Sequence, residues 1–147
     1  MHYMIPVFIG KGRIIMSKLN DFLTASGVFF LATCDGDQPK LRPLGAHMEA
    51  DGKVIFGVGD FKKVYKQMLA NPKVEISALR SDGKWLRYTG KAVFETDPKY
   101  AEMMLDGAPE LRNIYNDQTG FKMKCFHLED AEGYEMTVVG VGENILE

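Results

Sequence analysis

The chain contains few of the residues that hold small domains together by disulfides or metal ions. Its 147 residues include two cysteines, Cys34 and Cys125, and three histidines. The cysteines are too few and too far apart for a disulfide scaffold or a zinc cluster, and the histidines show no metal-ligand spacing. We therefore predict no metal site, and the sparse cysteine usage is typical of a protein in a reducing cytoplasm.

Long apolar runs and a strong charge of one sign are also absent. No run of 18 apolar residues occurs, and nothing resembles a cleavable secretory signal, so we predict a soluble cytoplasmic protein that does not bind a membrane. Eighteen Lys and Arg against twenty Asp and Glu leave a formal charge of −2. Because this charge is nearly balanced, a nucleic acid is not expected as a partner.

The length predicts one domain, with residues 16–147 as its body and residues 1–15 as an extension or arm. The apolar stretch at residues 4–9 is interrupted by Pro6 and followed by glycines. Two interpretations of residues 1–15 stay open, an upstream extension and an arm that packs on a neighbouring subunit.

Tight-turn dipeptides divide the body into short strands. Asp35-Gly36, Asp51-Gly52 and Asp82-Gly83 suit the positive φ angles of hairpin turns. The predicted strands are residues 28–33, 40–48, 54–58, 74–79, 85–95, 124–128 and 135–139, with residues 129–133 as a turn between the last two. The first three should form a meander, and Gly90 marks a bend or bulge. Because turns rather than helices join the strands, we predict a mainly β fold, a small antiparallel barrel.

Three helical segments accompany the strands. Ser17 is a helix cap, and that helix should end at Gly27. Residues 61–70 have helical spacing, with Asp60 as the candidate cap. A third helix starts at Asp97-Pro98, and a further helical piece is expected around residues 111–115.

Lys62 and Lys63 fall in the first turn of the second helix. Cations at this position oppose the helix dipole, so a phosphate bound to the free amides would resolve the conflict. The spacing alone favours the alternative, two lysines that are merely solvated.

Arg42-Pro43 lies inside a predicted strand, where proline removes a ladder donor and belongs at an edge, a bulge or a strand end. Either Arg42 supplies fixed positive charge to a planar ligand, or it makes a surface ion pair on an edge strand. Trp85, the single tryptophan, would stack on a ligand or pack in a core or subunit interface. Motifs for phosphate loops, dinucleotide folds and catalytic triads are absent, so the catalytic residues stay unknown.

In their order these motifs resemble the FMN-binding split-barrel family related to pyridoxamine 5′-phosphate oxidase, over about residues 17–140. The similarity is greatest to small members that include nitroimidazole-resistance (NimA/NimC-like) proteins. The segments that carry it are residues 28–33, Asp35-Gly36, Arg42-Pro43-Leu44, Asp51-Gly52, Phe56-Gly57, Lys62-Lys63, residues 71–75 and residues 85–90. The resemblance implies a homodimer of six-stranded antiparallel Greek-key split barrels, with two FMN molecules in grooves at the subunit interface.

The resemblance also implies which residues contact FMN. The flavin ring would lie along Arg42, Pro43 and Leu44, with Arg42 near its pyrimidine edge. The remaining contacts implied are Phe56 and Gly57 on the ribityl and phosphate path, Lys62 and Lys63 on the phosphate, and Trp85 where relatives place a glutamine that reaches the flavin across the interface.

Some residues depart from the family pattern. Gly57 and Phe61 stand where hydroxyl residues are common, which predicts a modest FMN affinity. The C-terminal arginine- and tryptophan-containing segment of the true vitamin B6 oxidases is not matched, so that activity is not expected.

Two functions follow as expectations. The first is an FMN-dependent oxidoreductase that passes electrons from a reduced nicotinamide to a small acceptor such as a nitroaromatic compound or a quinone. His47, Tyr65 and Tyr88 are its only candidate proton donors. The second is a non-catalytic protein that binds or stores flavin or haem, with His47 or His127 as the axial haem ligand. Relatives of this kind bind FMN, deazaflavin F420 or haem, and the sequence does not choose among them.

Overall fold

The computed structural model describes residues 7–9, 13–15 and 17–146. Ten strands and three α-helices are present in these ranges, together with one 3₁₀-helix. The strands are β1 Val7–Ile9, β2 Arg13–Ile15, β3 Phe29–Asp35, β4 Gln38–Leu44, β5 His47–Ala50, β6 Lys53–Gly59, β7 Lys73–Leu79, β8 Trp85–Phe94, β9 Met123–Thr137 and β10 Gly140–Asn144. The helices are α1 Lys18–Ser26, α2 Lys63–Ala70, α3 Lys99–Gly107 and the 3₁₀-helix Pro109–Asn113.

Eight strands form one curled antiparallel sheet in the order β4-β3-β7-β8-β9-β6-β5, with β10 paired to β9. Six of them have seven or more residues, the number of strands expected. The two others, β5 and β10, have four and five residues. The predicted mainly β class, an antiparallel split barrel, is confirmed.

The predicted three-strand meander is wrong. The segment predicted as one strand, residues 40–48, leaves the sheet at Gly45 and is divided between β4 and β5. The first part pairs with β3 and the second with β6. Pro39 and Pro43 lack the N–H that a central strand needs, so β4 lies at the edge of the sheet.

The predicted turn at residues 129–133 is also wrong, because β9 runs through it without interruption. The pairing with β8 shifts register between Thr89 and Lys91, where β9 carries an extra residue. Asp130 has a φ of 49° at this place. The bulge expected at Gly90 is therefore confirmed, and it bends β9 without ending it.

The helices and the core follow the local signals. Ser17 caps α1, since its hydroxyl oxygen accepts a hydrogen bond from Asn20 N at 3.0 Å, and Gly27 ends the helix with a φ of 83°. Asp97 precedes α3 and accepts a hydrogen bond from Lys99 N at 2.9 Å. The main core gathers around Phe29, Phe56, Leu86 and Phe126, and a smaller apolar cluster around Met48, Ile55 and Met104 lies beneath α3.

The division expected between residues 1–15 and residues 16–147 stays a prediction, and more than half of the first segment lies outside the described residues. Of the first segment, β1 and β2 pair antiparallel with each other, with Val7 opposite Ile15. None of the described helices has the length and apolar character that crossing a membrane requires.

Candidate functional site

The start of α2 is positively charged and has no side-chain cap. Lys62 occupies the N-cap position without a capping hydrogen bond, and the first turn holds no acidic residue. The prediction that Asp60 caps this helix is wrong. Its Oδ1 accepts a hydrogen bond from Lys122 N at 3.0 Å, and its own N–H donates to Lys122 O at 2.9 Å. Exposed Lys62 and Lys63 therefore stand beside helix amides that attract an anion.

Arg42 reaches from the edge strand β4 across β3 to α2. Its Nη1 donates to Thr33 Oγ1 at 2.7 Å and to Leu31 O at 3.1 Å, and its Nη2 donates to Gln67 Oε1 at 2.9 Å. The Thr33 hydroxyl donates in turn to Gln67 Oε1 at 2.6 Å. Partial burial lowers the pKa of Arg42, but a guanidinium stays charged at neutral pH. The side chain is held by neutral groups, which argues against the surface ion pair considered from the sequence.

These cations belong to one region of the molecule. Gln67 lies one helical turn after Lys63, so the Arg42 guanidinium rests against the same helix that carries the two lysines. Among residues 17–146, no carboxylate forms an ion pair with Arg42, Lys62 or Lys63. The region therefore carries positive charge without a counter-ion, the electrostatic requirement for holding a phosphate.

The neighbours of Arg42 on β4 point to opposite sides of the sheet. Leu44 shares the face of Arg42 and packs partly buried against the main core. Pro43 lies on the other face, exposed, opposite Phe30 of β3. Only Leu44 is thus on the same side as the guanidinium.

Phe56 and Gly57 of β6 face packed interior. Phe56 is 0% exposed, with its ring centroid 5.4 Å from that of Phe29 and 5.5 Å from that of Phe126. A Cβ added at Gly57 would lie 2.6 Å from Met123 Sδ and would also collide with Met104 Sδ. Neither position offers an accessible side chain to a ligand.

Trp85 is not brought next to Arg42 within one chain. It stands opposite Leu79 at the start of β8, and β3 and β7 separate its strand from β4. Three steps between neighbouring strands amount to about 14 Å. The register places Trp85 on the outward side of the sheet together with several exposed apolar residues. We call this surface the outer apolar face: Phe30, Leu41, Leu79, Trp85 and Val141.

The candidate proton donors lie in structured surroundings. His47 is fully buried, with Nδ1 2.7 Å from Asn20 Oδ1. Tyr65 is half-buried, with its ring edge against Phe94 at 4.9 Å between centroids. Burial raises the pKa of Tyr88 to about 12, so its hydroxyl stays protonated at neutral pH. The described residues hold no cluster of three His, Cys, Asp or Glu side chains suited to a metal ion.

Residues that were not predicted to contact FMN complete the region. Thr33 and Gln67 hold Arg42, and the inward position of a hydroxyl residue in an apolar strand was the available signal for Thr33. Phe61 stacks on Phe121, with 4.0 Å between ring centroids and 23° between ring planes, and Tyr115 lies 6.3 Å from Phe61. We call Phe61, Tyr115 and Phe121 the aromatic cluster.

Several known proteins are similar to this chain. A family model described as pyridoxamine 5′-phosphate oxidase matches residues 15–124. A NimC/NimA family protein of Clostridium acetobutylicum has a solved structure that is 38% identical, with a TM-score of 0.74. That match covers 82% of this chain and 86% of the other. Among curated proteins none matches.

Two further structures share the fold at lower identity. A putative pyridoxamine 5′-phosphate oxidase of Listeria innocua is 19% identical, with a TM-score of 0.60 over 78% of this chain and 93% of that one. A FAD-binding protein of Mesorhizobium loti is 18% identical, with a TM-score of 0.55 over 77% of this chain and 88% of that one.

Proposed function

The chain belongs to the pyridoxamine 5′-phosphate oxidase family, and from that premise we propose that it is an FMN-binding flavoprotein. Bound FMN would supply a ring that accepts and passes on electrons. In the proposed reaction, electrons go from a reduced nicotinamide to a small acceptor of the nitroaromatic or quinone type. The protein contributes position and electrostatics, since no described side chain is an evident acid–base catalyst.

The observation that carries this proposal is the unneutralised positive charge at the start of α2. Lys62 and Lys63 would bind the FMN phosphate together with the first amides of the helix. A lysine at an N-cap is unfavourable for an isolated helix, because it adds charge at the positive end of the dipole. A bound dianionic phosphate would interact favourably with both the lysine charge and the helix dipole.

Arg42 would meet the flavin ring one helical turn further along α2. We place its guanidinium near the pyrimidine edge, where fixed positive charge favours the reduced anionic ring over the oxidised one. Leu44 lies on the same face and would pack against the ring, whereas Phe56 and Gly57 would contribute main-chain groups only.

We further propose that two copies form the FMN groove. On the outer apolar face, Leu41 is 66% and Leu79 65% exposed, and clustered exposed apolar side chains mark interaction sites. A second copy would bury this face. Trp85, together with Pro43 on the same side of the sheet, would then reach the groove from the subunit interface.

The two described histidines do not favour haem as the ligand. His47 is fully buried against Asn20, and both ring nitrogens of His127 lie within 3.0 Å of carboxylate oxygens of Glu95 and Glu129. An axial ligand needs a ring nitrogen that faces the metal.

Purified protein tests the proposal. We expect an absorbance band near ~450 nm that NADH or NADPH bleaches. Replacement of both lysines, Lys62→Ala with Lys63→Ala, should weaken FMN binding by at least about a hundredfold, because two charged hydrogen bonds of roughly 1.5–3 kcal/mol each are lost. Fluorescence titration measures the Kd.

Lys66→Ala is the matched control, since Lys66 is an exposed lysine within the same helix. It should leave the Kd within about twofold, the effect expected of a surface substitution. If the double variant and the control change the Kd for FMN equally, Lys62 and Lys63 are not part of the site. The proposal would be overturned if the protein is purified without flavin and does not bind added FMN.

A further inference from the structure

The aromatic cluster leaves two large rings partly in water directly beside the cationic start of α2. Phe61 precedes Lys62 in the chain and is 43% exposed, and Phe121, on which it stacks, is 39% exposed. The hydrophobic effect favours covering such surface, and neighbouring exposed rings mark an interaction site. Neither ring is accounted for by the proposed contacts of FMN.

The cluster is held firmly by the main chain. The two hydrogen bonds between Asp60 and Lys122 clamp the turn before α2 to the segment that leads into β9. Gly59 allows the rings to come close, because a Cβ there would lie 2.7 Å from Phe61 Cε1 and 2.8 Å from the Tyr115 hydroxyl oxygen. The cluster is therefore formed before any ligand arrives, which reduces the entropy cost of binding.

One ammonium group lies beside this flat apolar surface, and two more lysines are close to it in the sequence. Lys62 Nζ lies 5.9 Å from the centroid of the Phe61 ring, and the exposed side chains of Lys63 and Lys122 flank the two phenylalanines in the sequence. The nearest acidic residue in the sequence, Asp60, accepts a hydrogen bond from Lys122 N, and burial together with the charge of Asp60 raises the pKa of Tyr115. The surface thus matches a ligand that joins a flat, uncharged ring to phosphate groups.

We propose that the aromatic cluster is a stacking platform for the adenine ring of an adenine dinucleotide. This inference rests on the proposed function, because Lys62 and Lys63 would bind the flavin phosphate next to the platform, in FMN or in FAD. Lys122, exposed beside Phe121, would then be left for the phosphates of a separate dinucleotide. Adenosine diphosphate chemistry is shared by FAD and by the nicotinamide dinucleotides. In the first case the adenosine extends from the flavin itself, and in the second it anchors the electron donor.

Phe61→Ala separates the platform from the flavin site. Flavin-free protein is titrated with FMN and with FAD, and FMN-loaded protein is titrated with ADP-ribose, by calorimetry. We expect Phe61→Ala to reduce the preference for FAD over FMN, or the affinity for ADP-ribose, about tenfold, the loss typical of one base–aromatic stack. Phe61→Tyr keeps the ring and should restore both values.

Two further variants show whether an effect is specific to the aromatic cluster. Phe121→Ala should have the same effect as Phe61→Ala, although it removes a ring from a different segment. Leu69→Ala removes an exposed apolar side chain of α2 outside the cluster and should change neither value. Thermal unfolding of each variant confirms that it folds.

The separate titrations identify the ligand, and they distinguish failure of the platform from failure of the flavin function. A Phe61-dependent preference for FAD assigns the platform to the flavin, and Phe61-dependent binding of ADP-ribose assigns it to the nicotinamide nucleotide. If FMN binds but Phe61→Ala changes every affinity by the same factor, the platform is overturned and the flavin function stands. If neither FMN nor FAD binds, the proposed function fails. In that case ADP-ribose binding to the flavin-free protein, lost in Phe61→Ala, would still support the platform.

Discussion

Arg42 is held in place by two neutral side chains, which do not neutralise its positive charge. A carboxylate in the place of Gln67 would hold the guanidinium equally well, but it would also cancel the positive charge. Thr33 and Gln67, both buried, position it while leaving that charge available. The Thr33 hydroxyl accepts from Arg42 and donates to Gln67, so it connects the three side chains.

Removal of this hydroxyl tests its structural role. We expect Thr33→Val to lower the free energy of unfolding by about 1–2 kcal/mol, because buried hydrogen-bonding groups of Arg42 and Gln67 lose a partner. Urea unfolding of the flavin-free protein measures the change. Thr89→Val is the matched control, since Thr89 is an exposed strand residue whose hydroxyl lies 3.4 Å from Glu75 Oε1. The control should stay within about 0.5 kcal/mol of the parent, and an equal loss in both variants would contradict the role of Thr33.

At the scale of the element, the residue at the N-cap of α2 does not stabilise the helix. The backbone of Lys62, with φ −86° and ψ 148°, has the extended geometry in which Ser, Thr, Asp and Asn cap helices. A lysine there makes no capping hydrogen bond and faces the positive end of the helix dipole. The proposed phosphate site would account for a residue that helix stability alone disfavours.

Lys62→Asp should therefore affect stability and binding in opposite directions. We expect the flavin-free variant to be more stable by about 0.5–2 kcal/mol, since an aspartate can cap α2 and interacts favourably with the dipole. Its FMN affinity should fall, because a carboxylate replaces a cation at the phosphate. Urea unfolding and FMN titration measure the two effects. Lys66→Asp, in the helix interior, has no cap to offer and should not stabilise, whereas a Lys62→Asp protein less stable than its parent would contradict this account of α2.

The elements that the sequence predicted well depend on local chemistry. The cap of α1 at Ser17 and the hairpin turn at Asp51-Gly52, with φ angles of 52° and 73°, need only neighbouring residues, and both are present. The turn expected at Asp35-Gly36 is displaced by one residue, because Asp35 is still paired with Gln38. The extra residue at Asp130 was mistaken for a turn because a bulge and a turn use the same residue types. The division of residues 40–48 was missed because the sequence does not state which strand each half will pair with.

The candidate site was predictable only in part. Lys62 and Lys63 stand out because they oppose the dipole of their own helix, a local conflict visible in the sequence. The network around Arg42 joins residues on β3, β4 and α2, with 34 positions between Thr33 and Gln67, and depends on strand order. The stacking of Phe61 on Phe121 likewise requires the clamp between Asp60 and Lys122, 62 positions apart.

At the scale of the whole molecule, the two sides of the sheet have different partners. The inner side is covered by the chain's own helices and core, whereas the outer apolar face of one chain is left in water. Leu79 stands opposite Trp85 on this face, and the two lie far from the start of α2 within the same chain. Under the proposed function, Trp85 would therefore take part in the FMN site only through a second copy, so we expect the oligomeric state and cofactor binding to be coupled.

Leu79→Asp tests this coupling. We expect the parent protein to sediment at twice the 16.5 kDa mass of one chain, and the variant to sediment as a monomer. A charge buried at the centre of an interface costs roughly 2 kcal/mol or more, about thirtyfold in the dimerisation constant. The variant should also bind FMN more weakly, because its groove lacks the partner's surface. Leu69→Asp is the control, since Leu69 is 58% exposed on α2, away from this face, and should leave a dimer that binds FMN. A Leu79→Asp monomer with the parental Kd for FMN would show that a single barrel is sufficient for the site.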